Sequence, residues 1–187
     1  MSEEEKGEII QYGMERMKVI LISISVTLLI GYVFDILYQS IVFLLSFYPL
    51  RRYAGGYHAK TQKNCFLISF CIVIISLGML RDVTQQGINI LFISALINSI
   101  IIWYLAPIEN LNKQLDKNER NEYRFRTRRV LLGENILLII FFVLNKYNFV
   151  MGITISIGIT SIALISGVIQ NRKFSNMKIS YEKSTRI

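Results

Sequence analysis

The chain has 187 residues, of which 52% are hydrophobic and 18% charged, against roughly 25% charged in an ordinary soluble domain. Its Ile, Leu and Phe come in long blocks, which excludes a soluble globular core and leaves no room for a second soluble domain beside a single membrane domain spanning 1–187. A net charge of +8 would suggest nucleic acid in a soluble protein. In a membrane protein its distribution reports topology instead, so no nucleic-acid partner is expected.

The N-terminal Met-Ser-Glu-Glu-Glu-Lys lacks the basic start, short apolar core and small-residue cleavage site of a secretory signal. Insertion through internal spans is expected. Residues 1–18 form a leader in which Ile10, Met14 and Met17 recur at helical spacing. That spacing suits an amphipathic helix lying in the membrane interface, and equally a solvated approach to the first span. Six apolar blocks follow, at 19–34, 36–50, 66–80, 88–106, 130–144 and 149–169. They predict an all-α integral membrane protein of about six transmembrane helices. Several blocks are shorter than the ~20 residues of a perpendicular span, and little more than Asp35 separates the first two. One bent element there, and four spans with re-entrant segments overall, is the alternative.

Charge supports six spans. With both termini cytoplasmic, the inner side would hold 19 of the 21 Lys and Arg residues and the outer side only Arg81 and Lys146. Positive residues near span ends set orientation, so the loop 51–65 and the basic loop 107–129 are expected in the cytoplasm of a bacterial cell membrane protein. The run Arg124, Arg126, Arg128 and Arg129 suits anchoring to anionic lipid or gripping an acidic peptide.

The loop 51–65 carries the chemistry. It places His58, the single histidine, seven residues before Cys65 among Arg51, Arg52, Lys60 and Lys63. A thiol attacks carbonyl carbon as the thiolate, and basic neighbours, an imidazole or a helix N-terminus raise the thiolate fraction. Asn64 is an N-cap candidate that would put Cys65 in the first turn of the next helix. Residues seven apart on one helix stand about 10.5 Å apart along its axis, beyond hydrogen-bond reach. A His58–Cys65 pair therefore requires a fold-back, for which Thr61-Gln62-Lys63-Asn64 and Gly55-Gly56 leave room. On the residues alone a lone loop histidine is usually a surface residue and a cysteine in a membrane helix a small apolar filler, and Cys71 fits the filler description. One His and two Cys fall short of a zinc site, so neither metal nor cofactor is expected.

Two stretches together resemble a known family. Arg51-x4-Gly56-x-His58-x6-Cys65 resembles the signature of the AgrB family, the accessory gene regulator B membrane endopeptidases. Ala106-Pro107-Ile108-Glu109-Asn110-Leu111-Asn112-Lys113-Gln114-Leu115 is similar to that family's Ala-Pro…Asn-Lys-Pro-Leu stretch, with Gln114 where the pattern has Pro. The resemblance implies a cysteine protease acting on a quorum-sensing propeptide of the AgrD type, with Cys65 as nucleophile, His58 as general base, and Arg51 and Gly56 in supporting positions. It implies removal of an acidic C-terminal tail, a thioester on the enzyme, and capture by a substrate Cys or Ser to give a thiolactone or lactone. Arg124, Arg126, Arg128 and Arg129 are candidates for holding the tail, with membrane lipid as their other partner. A homodimer is one option for assembly. Glu134, just inside the fifth block, is an intramembrane ionisable group that could snorkel to the interface or pair with Arg128 or Arg129.

The competing class is a non-enzymatic carrier or exporter of a peptide or solute, which would depend on Asp35, Asn98 and Glu134 and leave His58 and Cys65 dispensable. A third is a scaffold that binds a sensor kinase or peptide without cutting it.

Overall fold

Long runs of Ile, Leu, Val and Phe without strand-like alternation fold here as helices. The computed structural model describes residues 3–56, 85–108 and 116–184, together with Cys71, Ile75 and Gly78. Among these, five helices are seen: α1 (Glu3–Val33), α2 (Leu37–Ala54), α3 (Gln85–Leu105), α4 (Lys117–Val143) and α5 (Tyr147–Ser184).

Two tight reversals fix the neighbours. After α1, Asp35 takes φ 56°, a left-handed conformation that Asp tolerates better than most side chains. Ile36 N–H donates to Gly31 C=O at 2.8 Å and Asp35 N–H to Tyr32 C=O at 3.3 Å. After α4, Asn145 does the same at φ 55°, with Lys146 N–H on Phe141 C=O at 2.8 Å and Asn145 N–H on Phe142 C=O at 3.1 Å. Both ends satisfy their last carbonyls by the paired pattern of a left-handed helix stop. The first two apolar blocks are thus two helices joined by a turn, not one bent element.

The turns make α1 and α4 antiparallel to their successors. Tyr48 of α2 reaches back to the Ile20 carbonyl, and Phe142, near the end of α4, stacks on Phe92 near the start of α3 at 4.3 Å between centroids. Helices α2, α3 and α5 therefore run one way, and α1 and α4 the other. The Asp35 and Asn145 turns lie at one end of the bundle. Gly55-Gly56, Ala106–Ile108 and the arginines of α4 lie at the other.

Helix α5 is the centre. Met151 through Ile157 are all buried, and a Cβ on Gly152 would stand 3.1 Å from the Gln39 carbonyl and 3.2 Å from the Phe43 nitrogen of α2. One apolar cluster joins Leu50, Ala54, Ala95, Ile102, Leu131, Leu138, Ile153, Ile157 and Leu164. A second, toward the turn end, joins Ile36, Phe43, Leu44, Ile88, Met151 and Ile155. Helices α3 and α4 are also tied by Ser99 donating to Asn135 Oδ1 at 3.1 Å.

The expectation of six spans is corrected. Among the described residues two helices are long and apolar enough to cross a membrane, Gly87–Leu105 and Tyr147–Arg172, with a shorter apolar stretch at Met17–Val33. The physical reasons lie in the sequence of each remaining block. Helix α2 carries Gln39, Ser40, Ser46 and Pro49 before Arg51 and Arg52, and the apolar half of α4 follows a charged half in the same helix. The third block falls outside the described residues except for Cys71, Ile75 and Gly78. The leader is not a separate interfacial helix, because α1 runs unbroken for 31 residues from Glu3. Likewise, the basic stretch expected as a loop is helical from Lys117, where Glu119 accepts from the Asp116 N–H at 3.3 Å as half of a capping box.

Isoleucines at 90, 93, 97, 100, 136, 139, 162 and 169 are all exposed. In water a continuous apolar exterior of this kind would drive association; around two spanning helices it is the surface that meets lipid. The chain is a helical membrane protein.

Candidate functional site

Helix α2 ends where its sequence turns to glycine. Gly55 has φ 74° and Gly56 φ 112°, values that a side chain resists. Ile108 N–H donates to Ala54 C=O at 3.0 Å and Gly56 N–H to Ile108 C=O at 3.4 Å, forming a parallel bridge between Gly55 and Ile108. The Arg51 guanidinium donates to the Gly55 carbonyl. A Cβ on Gly55 would strike the Ile108 carbonyl oxygen. One on Gly56 would lie 2.8 Å from the Ala163 carbonyl oxygen of α5 and 2.6 Å from Arg51 Nη1.

Two stretches singled out in the sequence, one starting at Arg51 and one at Ala106, therefore meet. Arg51 and Gly56 lie in a clamp between α2, the segment after α3, and α5. His58 and Cys65 themselves lie outside the described residues. Cys71 is free and exposed. Sequence reading passed over Ile108 and Ala163 as parts of the clamp; the one signal for them was that Ile108 follows the Ala-Pro of the second motif.

The four arginines expected to act together are distributed around α4. Thr127, Leu131, Glu134 and Leu138 form its buried stripe. At about 100° per residue, Arg124 and Arg128 share one flank, Arg126 lies on the other, and Arg129 opposes the stripe. Their surroundings follow. Arg128 stacks over the Trp103 ring of α3 at 4.5 Å, with its Nε buried and unpartnered among the described residues. Arg126 lies 5.5 Å from the Tyr53 ring centroid and pairs with Glu122. Tyr53 and Glu122 hold its guanidinium above its ordinary value. Arg129 covers Phe125 at 4.3 Å. Tyr53 and Tyr123 meet edge to face at 6.1 Å. This end thus presents cations held by aromatic rings, beside the clamp.

Glu134 is buried and, among the described residues, pairs with no arginine. It is 6% exposed, and both carboxylate oxygens lack a hydrogen-bond partner among the described residues. Of the other polar groups a carrier would use, Asp35 is exposed in its turn, and Asn98 donates to the Ser94 carbonyl of its own helix at 2.8 Å.

A family model described as Accessory gene regulator B matches residues 1–164, covering both halves of the clamp and the whole of α4. The chain belongs to the AgrB family. Two AgrB-like proteins of Clostridium perfringens match it. AgrB-like protein 2 of strain 13 / Type A is 31% identical over 130 residues, covering 66% of this chain and 60% of its own. The AgrB-like protein of strain SM101 / Type A is 32% identical over 131 residues, with the same 66% and 60% coverage. Both names record likeness and state no activity. The chain thus spans about 60% of the length of the curated relatives it matches. No solved structure matches it.

Proposed function

We propose that this AgrB protein is a membrane cysteine endopeptidase that removes the C-terminal tail of an AgrD-type propeptide and promotes its cyclisation. The observation that carries the reading is the clamp: Arg51 and Gly56, at the head of the His58/Cys65 loop, are pinned to Ala106–Ile108 and to α5 at the basic end of the bundle. A loop entering from a fixed point between three elements begins from a restricted geometry, as a paired base and nucleophile require.

In the proposed reaction His58 takes the proton of the Cys65 thiol, and the thiolate attacks the scissile carbonyl. The C–N bond breaks, His58 returns the proton to the departing tail amine, and the peptide remains as a thioester on Cys65. A thiol or hydroxyl within the substrate then attacks that carbonyl, the bond to Cys65 breaks, and a thiolactone or lactone leaves. An amphipathic leader adsorbed to the membrane confines the substrate near the site. Because the acceptor is tethered, ring closure competes with water at a high effective concentration. The acidic tail is held by Arg124 and Arg128, which share a flank of α4; Arg129 points away from it. The basic end faces the cytoplasm, by the inner excess of positive charge.

The test is mass spectrometry on vesicles holding the protein and a cognate propeptide, with Cys65→Ala and His58→Ala beside the wild type. Tail release and a cyclic product from the wild type alone support the reading. Equal products from the variants, or none from the wild type, overturn it.

A further inference from the structure

Glu134 stands about sixteen ångströms along α4 from Tyr123, at 1.5 Å per residue, and Ser46 about as far along α2 from Gly56. Measured from the nearest charged residue on each helix, Arg129 and Arg51, each lies about 7.5 Å further into the apolar part of the bundle. Each is 6% exposed. They lie beside each other across the α2–α4 contact without a hydrogen bond of normal geometry, and the Ser46 hydroxyl, like both Glu134 oxygens, is unpartnered among the described residues. The central helix adds more of the same chemistry: Thr154, Ser156, Thr160 and Ser161 are buried with hydroxyls unpartnered among the described residues, and Thr154 and Ser156 lie about two to two and a half turns before Ala163, the residue against Gly56.

Among the described residues no charged group offsets the carboxylate. Helix α3 has none along Gln85–Leu105, and α5 has none from Tyr147 to Asn171. On α2 the titratable groups nearest Ser46 are Tyr48, then Arg51, which turns to Gly55. On α4 the nearest cations, Arg128 and Arg129, lie more than a turn away on Trp103 and Phe125. An unpaired carboxylate in such surroundings costs several kcal/mol or more unless something neutralises it, and intramembrane carboxylates mark ion and proton sites. The donor set decides the class of ligand. It consists of oxygens only, which suits a hard cation, and brings one negative charge, which suits a monovalent one.

We propose that Glu134 and Ser46 form an intramembrane binding site for a small hard monovalent cation, either a proton or a sodium ion. The site is separate from the clamp, and it stands whether or not the peptidase reading does.

The experiment uses the full chain in vesicles and dicyclohexylcarbodiimide, which couples to protonated carboxyl groups in apolar surroundings. The adduct at Glu134 is quantified by peptide mass spectrometry, in choline chloride and in sodium chloride, across pH 5 to 9. Asp35, Glu119 and Glu122, all exposed, serve as solvent-facing references, and Glu134→Gln confirms the labelled position. Protection by sodium at fixed pH identifies a sodium site. Labelling that titrates with pH and ignores sodium identifies a proton site. In either case Ser46→Ala should shift the half-point by about one pH unit, or half-protection by about tenfold in sodium. Absence of a Glu134 adduct under every condition, or half-points unmoved by Ser46→Ala, overturns the proposal.

Discussion

Gly56→Ala tests the clamp most directly. Two costs add. At φ 112° a side chain sits in backbone territory that costs about 1–3 kcal/mol. The new methyl also meets the Ala163 carbonyl oxygen at 2.8 Å and its carbon at 3.0 Å, an overpacking worth about 1–3 kcal/mol. The sum, roughly 2–6 kcal/mol, is a large fraction of the 5–15 kcal/mol that usually holds a fold. The third close atom, Arg51 Nη1 at 2.6 Å, ends a flexible side chain and can move away, whereas the α5 backbone cannot. Arg51→Ala should therefore fail to rescue Gly56→Ala. Gly133→Ala is the control, since its Cβ meets nothing within 4 Å and a helical alanine gains about 0.4–1 kcal/mol. Unfolding by SDS in mixed micelles, followed by circular dichroism and by the fluorescence of Trp103, the single tryptophan, reads all four proteins. If Gly56→Ala unfolds with Gly133→Ala, or if Arg51→Ala restores it, α5 is not the wall described.

Other outcomes follow from the same contacts. Ile108→Pro removes the N–H donated to Ala54 at 3.0 Å; a loss of about 1–3 kcal/mol in the SDS titration is expected, with a fall in tail release. Arg124→Gln with Arg128→Gln should slow release of an acidic tail several-fold more than of a neutralised tail, and Arg129→Gln should change neither, as initial rates in vesicles would show. Equal loss for both tails would leave these arginines as lipid anchors. Ser99→Ala breaks the tie to Asn135 at 3.1 Å and should cost about 0.6 kcal/mol, up to roughly 2, measured in the same titration. Arg128→Ala should change the Trp103 emission, because its guanidinium lies 4.5 Å over that ring.

Much of this was legible from residue order alone. The short polar gap at Asp35 divides two helices, and the arginines ending α2 and opening α4 share one end of the bundle, because antiparallel pairing returns the ends of α2 and α3 to the start of α4. What sequence could not give was contact. Arg51–Gly56 and Ala106–Ile108 are each readable as motifs, but a bridge across some fifty residues depends on α2 and α3 being parallel and in register, which no local pattern encodes. The basic run read as a loop because its charges suggest solvent. Yet it starts with a capping pair and continues into an apolar block, so helix propensity and the block's burial carry the helix through. Its four arginines, adjacent in sequence, separate in space because a helix turns about 100° per residue. Residue order leaves Glu134 free to snorkel or to pair with Arg128 or Arg129, whereas in the fold it is buried and those two cations lie over aromatic rings.

The position of the clamp follows from the membrane itself. Within lipid, every backbone N–H and C=O must be satisfied by the chain, so a helix can break only where another segment supplies partners. At the Asp35 and Asn145 turns each helix supplies its own, through bonds back to Gly31, Tyr32, Phe141 and Phe142. At the basic end α2 stops at Gly55-Gly56 and α3 stops before Pro107, with no return bonds of the kind seen at the turns beyond the ordinary helical ones from Gly55 N–H to Arg51 C=O and from Ala106 N–H to Ile102 C=O. Ala54, Gly56 and Ile108 instead exchange bonds with each other. Gly55-Gly56 and Ala106–Ile108 can depart from helix here because each supplies partners to the other. A mutation that frees one should release both, so Ile108→Pro is expected to disturb the 51–65 loop as much as Gly56→Ala does.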